Sequence, residues 1–520
     1  VSVGFVGSAA PSIVFCYRAG HPALVAAFCM ESRMSPPLDL RPNEYEPFSP
    51  ARAVGEKHGK PVNPGVVPLV DVKPLPSSAK YVVVGAGVHG LSTAWHLAMR
   101  LERTGKGRGA ELVLIDKTGP GAGATGLACG CVRNLYMTSP LHTILRHSVD
   151  VWESDPVNLG FQQVGYVSVG EANQESDYLK MAESQNAAGY ASDVYVGEEA
   201  RRFLRSIWPD YKTERADVAL HEKPSGYAGT HMAVWGMDQK CLQWGVTRCY
   251  GPEVVGYEMQ NGRVTAVKTD QGDVACDAVI VSAGAWMPKH WEWLGRGEKI
   301  DMKYPTGEVV ADQDFWTFWR LIEGEAYLPE GRDYRTADGK DAPVLHVELM
   351  NTKVEREDGT LVEGGHPHFY TYVRYAAERV GAPGVQGGSI PIPIGPKAEL
   401  EPYGHLNDLY QADDWFADYW CSTLSMLMGR FEGIRAHFKE RRNGGIGAFT
   451  PDNVPVFDWV AENAFMTADS NHGFKMIGVG KLVAELLEGS NRVEALEPFA
   501  LNRFTEGRTF GDRNSNCPWV

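Results

Sequence analysis

The run Gly85-Ala86-Gly87-Val88-His89-Gly90 follows a valine strand and precedes an apolar segment of helical period. That order is what diphosphate binding needs. Gly85 permits a tight turn, Gly87 lets the backbone approach a pyrophosphate, and Gly90 lets the next helix pack closely on the strand. The free N–H groups of the helix start then face the anion. The following strand, ELVLID, ends in Asp116, a carboxylate suited to ribose hydroxyls. A glycine turn without ligand is the bland alternative, but the full order of strand, turn, helix, strand and acid argues against it. NAD and FAD sites share the motif, so it does not choose between them.

Other residue sets offer less. His366 and His368 would share one face of a strand, but no third histidine or cysteine stands near them, so no metal site is expected. Cys129 and Cys131 are one residue apart and have no readable partner for nucleophilic catalysis, and there is no G-x-S-x-G elbow. Nine cysteines in 520 residues make no disulfide scaffold, which fits a cytoplasmic protein. A net charge of −15 gives no basic surface for nucleic acid. No stretch approaches eighteen uninterrupted apolar residues, so no membrane span is expected. The apolar start is broken by Pro11, Arg18, His21 and Pro22 and has no basic region before it, unlike a secretory signal.

The elements that must position these residues begin at Lys80. Residues 35 to 79 are rich in proline and polar residues, which favours an extended arm over helix or strand. After ELVLID, residues 161 to 170 alternate as a half-buried strand, and EEARRFLRSIWPDY is a helix that should stop near Pro209. Asn261-Gly262 and Gln271-Gly272 mark two hairpin turns before the apolar strand AVIVSAG. Residues 300 to 400 are aromatic and polar with strand-like pieces, and 405 to 440 are helical.

The first motif, the late strand VIVSAGAW (residues 279 to 286) and the segment TPDNVPVFDWV…DSNHGFKMIGVGKLVAELL together resemble the D-amino acid oxidase superfamily, in its sarcosine oxidase and dimethylglycine dehydrogenase branch. The likeness runs from about residue 80 to about 490. It implies FAD as the cofactor and an α/β fold: a Rossmann-type FAD/NAD(P)-binding domain plus a mixed-sheet substrate domain, the glutathione reductase-like FAD fold of this superfamily. Thr450, Pro451 and Asp452 match the family's Thr-Pro-Asp turn. His472, Gly473, Phe474 and Lys475 match its flavin-edge loop. Residues 121 to 136 resemble the loop after the acid, with Arg133 at a basic position near the flavin.

The resemblance implies a cofactor-binding set of Gly85, Gly87, Gly90, Asp116, Lys117, Ala124, Thr125, Val254, Ala283, Gly284, Trp286, Asp452, Gly473, Phe474 and Lys475. Lys475 and Arg133 would polarise the flavin or position the substrate, and His472 would orient. Tyr136, Gln386, Tyr370 and Tyr372 are the substrate-binding candidates. The bland alternatives are a surface salt bridge for Arg133 and a solvated helix-start lysine for Lys475.

Three departures from the family bear on the chemistry. Gly445 stands near the place of the cysteine that tethers FAD in sarcosine oxidases, and Leu127 at that of the tethering histidine of dimethylglycine dehydrogenases, so dissociable FAD is expected, with a tether elsewhere left open. Gln386 replaces a lysine that promotes reaction with oxygen, which leaves O2 or another acceptor open. Tyr136 replaces an arginine that helps hold the substrate carboxylate, which points away from plain N-methylglycine. Trp316, Trp319, Tyr327, His366, His368, Phe369, Tyr370 and Tyr372 could line an aromatic pocket for a cationic or ring-bearing amine, or be ordinary core.

The chain therefore reads as a proline-rich arm (1–79), an FAD domain in three parts (80–150, 225–290 and 440–490), a substrate domain in two (151–224 and 291–439) and a tail (491–520). The expected activity is FAD-dependent oxidation of a C–N bond in a secondary or tertiary amine or amino-acid derivative. Hydride would pass to flavin N5, and the imine would then hydrolyse. The partners are the small-molecule amine and the electron acceptor, and a homo-oligomer is compatible with the sequence. The alternatives are oxidation of a C–O bond, in a 2-hydroxy acid or polyol, and a non-catalytic FAD-bound assembly or electron-transfer subunit.

Overall fold

Tyr81-Val82-Val83-Val84 has no polar face to show to water, so the strand it ends, β1 (Ser78–Val84), lies inside a sheet with neighbours on both sides. In this computed structural model the described residues are 55–57, 60–62, 65–67, 69–363, 369–376, 383–401, 407, 411–439, 445–469, 472–490 and 492–510. The chain leaves β1 through the glycine turn into α1 (Val88–Thr104), buried over most of its length and closed by Gly105 in the left-handed region. It returns as β2 (Leu112–Asp116), parallel to β1.

The sheet is completed far along the sequence by β3 (Thr247–Tyr250), β4 (Val254–Gln260), β5 (Arg263–Thr269), β6 (Gly272–Val281), β7 (Val456–Ala461) and β8 (Ala464–Ala468). Its order is β3-β2-β1-β6-β5-β4, with β8 also parallel to β6 and β7 antiparallel to β8. Strands from the front, middle and back of the chain thus share one sheet, and the ends of β1, β2, β6 and β8 open on the same side. Helix α2 (Gly478–Glu488) packs on α1 through glycine: a Cβ on Gly480 would come within 2.4 Å of Ser92 Oγ.

A second, seven-stranded sheet is mixed. Its order is Glu323–Tyr327, Gly384–Gly388, Phe369–Tyr375, Val344–Leu349, Tyr166–Gly170, Val218–Glu222 and Ser192–Val196. Leu345, Val347 and Val373 of this sheet share one apolar core with Phe416, Trp420 and Leu424 of the helix Asp414–Leu427.

Several local expectations change. Residues 161–170 form two strands, Phe161–Gln162 and Tyr166–Gly170, because Gly165 (φ 85°) breaks them; the second is buried at every position rather than alternating, since it lies inside the mixed sheet. Within the proline-rich arm, Gly55–Lys57 and Lys60–Val62 are two short strands paired antiparallel. Among the described residues of 405–440 there is one α-helix, from Asp414, and then short 3₁₀ turns, as Gly429 and Gly433 interrupt the α-helical run. The helix Glu198–Ile207 stops two residues before Pro209, and Asn261-Gly262, both at positive φ, turns β4 into β5. At the other hairpin the turn falls on Asp270-Gln271, with Gly272 opening β6.

Candidate active site

The turn after β1 is fixed by close approach. Gly85 has φ 99°, and a Cβ there would lie 2.4 Å from Ser282 O; on Gly90 it would lie 1.8 Å from Gly85 O. Both positions admit glycine alone. Asp116 at the end of β2 accepts from Ala86 N (2.8 Å), Thr118 N (2.9 Å) and Gly119 N (3.0 Å). Its carboxylate therefore clamps the glycine turn while also facing a cavity of about 640 Å³. Thr125 Oγ1 accepts from Val88 N at 3.1 Å.

The cavity runs from this turn to the start of α2. Gly85, Gly87, Asp116, Lys117, Ala124, Thr125, Val254, Ala283, Gly284 and Trp286 line it at the glycine-turn side, together with Asp452, Gly473, Phe474 and Lys475. Gly90 does not line it; its place is the contact with Gly85. Lys117 sits 3.9 Å from the centroid of the Trp286 ring, and both reach Glu401: Lys117 by an ion pair, Trp286 Nε1 by a 3.1 Å hydrogen bond.

Arg133, His472 and Lys475 line the same cavity as Tyr136, Tyr370 and Tyr372. Arg133 is 7% exposed, donates to Leu135 O and lies 4.6 Å from the Tyr136 ring centroid; among the described residues it makes no ion pair. The surface salt bridge is thereby excluded. Lys475 faces the cavity rather than solvent, and burial, reinforced by the nearby charge of Arg133, brings its amine down to about 7. Arg133, and Lys475 where it is protonated, place positive charge on the cavity lining, which favours an anionic or electron-rich guest.

Gln386 is a correction. It is fully buried behind the wall, where its amide accepts from Arg374 Nη2 (2.9 Å) and lies 3.5 Å from Glu323, so it does not face the cavity. Of the aromatics between 300 and 400 singled out from the sequence, only Tyr370 and Tyr372 line the cavity among the described residues. Trp316 packs edge-on against Trp291 and Phe315, Trp319 against Phe449, Phe369 is buried in the core of the mixed sheet, and Tyr327 lies under Lys439. His366 and His368 lie outside the described residues. Among the described residues no cluster of His, Cys, Asp and Glu is placed to hold a metal, and no helix is long and apolar enough to cross a membrane.

Sequence reasoning missed Asp469 and His89. Asp469 takes His89 Nε2 on one oxygen and His472 Nδ1 and N on the other. The available signal was spacing: an Asp three residues before the His that opens a 3₁₀ turn is in the register of a capping acceptor. Arg503, in the tail, was also missed; it grips Asp452 with two 2.9 Å bonds.

The donor set fits FAD. Helix α1 starts at the cavity with a glycine at its N-cap and no acid in its first turn; Val88 N is taken by Thr125 Oγ1, which leaves the N–H groups of His89 and Gly90 for a diphosphate. A Cβ on Gly87 would meet only Thr125 Oγ1 at 3.1 Å, so the bare backbone is presented to a guest. A family model described as FAD dependent oxidoreductase, DAO, matches residues 80–486, well over half the chain. The chain belongs to the DAO family of FAD-dependent oxidoreductases.

Similar DAO proteins include sarcosine oxidase subunit beta of Rhodobacter capsulatus, 28% identical over 218 residues, which are 39% of this chain and 49% of that protein. Sarcosine dehydrogenase, mitochondrial, of Mus musculus is 26% identical over 325 residues, 60% of this chain and 33% of that protein. Glycine oxidase of Pseudomonas putida is 27% identical over 275 residues, 48% of this chain and 68% of that protein. The matches thus span half or less of the length of the first two relatives. Among solved structures, L-proline dehydrogenase from P. horikoshii has the same fold, with a TM-score of 0.65 at 19% identity over 84% of this chain and 100% of that one. As a DAO family member the chain is an FAD-dependent oxidoreductase.

Proposed function

We propose that this enzyme oxidises the C–N bond of a secondary or tertiary amine that carries a carboxylate. The observation that supports this most is Arg133: a buried guanidinium on the cavity wall, without an ion-pair partner among the described residues, beside the phenols of Tyr136 and Tyr370. A guanidinium binds a carboxylate through paired hydrogen bonds, and such a partner would offset the cost of keeping it buried. Arg133 thus takes up the role that the residue at Tyr136 has in relatives.

When bound, FAD would supply the two-electron chemistry, as acceptor of a hydride from the carbon next to nitrogen. The protein orients and excludes water. Arg133 holds the carboxylate, the Tyr136, Tyr370 and Tyr372 rings enclose the apolar part, and Lys475 places a titratable amine at the flavin-edge loop. His472 is held in one orientation by Asp469, which fixes the loop that carries Lys475. The glycine turn, Asp116, Lys117 and Trp286 would hold the dinucleotide. We assign the sheet of β1 to β8 to the cofactor and the seven-stranded sheet to the substrate. Release of the imine to water completes the reaction without a protein base.

The test is anaerobic mixing of the FAD-loaded protein with N-methylated amino acids, simple amines and 2-hydroxy acids, followed at the flavin absorbance. Bleaching by an N-alkyl amino acid, with release of an amine or aldehyde, is the expected result. Bleaching by hydroxy acids alone would move the assignment to C–O oxidation. A protein whose flavin no small molecule reduces would be an assembly or electron-transfer subunit.

A further inference from the structure

We propose that Cys129 and Cys131 form a redox-active dithiol/disulfide pair that exchanges two electrons with the FAD bound in the same cavity. The inference rests on FAD occupancy and is independent of which substrate reduces the flavin.

Both cysteines line the cavity, and their sulfurs are 3.7 Å apart. A disulfide would need that gap to close to ~2.0 Å. The turn between them is built for convergence: Gly130 has φ 72°, and a Cβ there would lie 2.1 Å from Ala228 O, so only glycine fits. Its ends are held from outside. Arg374 Nε donates to Cys129 O (2.5 Å), Ala228 N to Gly130 O (2.8 Å), and Thr230 Oγ1 to Ala128 O (2.8 Å), while Cys131 is paired in a strand with Tyr227. Packing alone does not call for two thiols in contact on the wall of a flavin cavity.

The surroundings divide the two sulfurs. Cys131 is lowered by the hydrogen bond from Cys129, with burial opposing and Arg374 and Lys475 adding to the lowering; Glu323 opposes. Burial pushes Cys129 up. One thiolate beside one thiol is the state from which a dithiol is oxidised. In the reductive direction the S–S bond breaks, the two sulfurs take two electrons and two protons from reduced FAD, and the cofactor is left oxidised. In the other direction the dithiol gives two electrons and two protons to oxidised FAD, which passes them to O2 or another two-electron acceptor. The pair would let the protein hold a second pair of electrons while it waits for that acceptor.

The test uses the full-length FAD-loaded protein, oxidised with diamide and desalted, then titrated anaerobically with dithionite, so that the amine assignment plays no part. The expected result is uptake of four electrons per flavin, falling to two in both Cys129→Ser and Cys131→Ser, with a long-wavelength thiolate-to-flavin absorption in the half-reduced wild type. Maleimide labelling under denaturing conditions should find Cys129 and Cys131 blocked before the titration and free after it. Free thiols at both positions after diamide, or uptake of two electrons by the wild type, would overturn the proposal. So would flavin that stays attached to Cys131 after acid precipitation, since the sulfur would then be a tether.

Discussion

The carboxylate of Asp469 lies between two imidazoles, 2.8 Å from His89 Nε2 and 2.8 Å from His472 Nδ1. All three side chains are buried. His89 belongs to the first turn of α1 and His472 to the segment before α2, so one carboxylate joins two segments that line the cavity. Burial pushes the Asp469 carboxyl up, but the charge and hydrogen bonds of His472 and His89 outweigh it and hold the group well below the usual carboxylate range. Removing the acid leaves two imidazoles with unmet hydrogen bonds. Asp469→Ala is expected to lower stability by about 3 kcal/mol, the sum of two lost buried partners at ~1–3 kcal/mol each less what relaxation recovers. Denaturant unfolding of the apoprotein checks this, and weaker FAD binding should accompany it.

Lys475 gives a pH signature. Its amine is brought down to about 7 in the folded protein, against ~10.4 in an unfolded chain. The folded state resists the proton, so burial of Lys475 costs stability in full below pH 7, less as pH rises, and nothing above ~10.4. Lys475→Met should therefore raise the Tm of the apoprotein most at pH 6, with the gain shrinking through pH 8 and 9. A gain that does not change with pH would place the amine in solvent.

Much of this was legible in the sequence because the cofactor site rests on local signals. Glycine spacing, a valine strand and a terminal acid are readable one segment at a time, and the structure brings Gly85, Gly87, Asp116, Arg133, Tyr136 and Lys475 to one cavity. What could not be read was long-range pairing. Asp469 with His89 spans 380 positions, and no local pattern announces it. Gln386 was placed by its likeness to a family strand, and a matching segment does not say whether its side chain meets the cavity here. Trp316 and Phe369 take the ordinary-core alternative that the sequence had left open, since aromatic composition does not distinguish a pocket wall from a core.

Gly87 and Gly90 should separate cofactor binding from folding. A Cβ on Gly90 would collide with Gly85 O at 1.8 Å, backbone against backbone, so Gly90→Ala should destabilise the apoprotein by at least the ~1–3 kcal/mol typical of overpacking. On Gly87 it would meet only the Thr125 hydroxyl at 3.1 Å. Gly87→Ala should leave the apoprotein Tm nearly unchanged and cut FAD affinity, because the methyl occupies the space through which the backbone meets the diphosphate. Apoprotein melting and FAD titration of both variants, side by side, decide this.

Arg503 ties the tail to the site through Asp452. Its guanidinium donates from Nε and Nη2 to the two Asp452 oxygens at 2.9 Å each and from Nη2 to Val454 O at 2.7 Å, with both charged side chains buried. Asp452 in turn lines the cavity and accepts from Phe510 N. Arg503→Met would strand a buried carboxylate, which costs ~3–5 kcal/mol. Asp452→Asn combined with Arg503→Met removes the charge as well and should recover part of that loss. If the double variant is instead as unstable as the sum of the two single changes, the pair acts through shape rather than charge. FAD affinity should follow the same order, because the pair helps to hold the turn that carries Asp452 at the cavity.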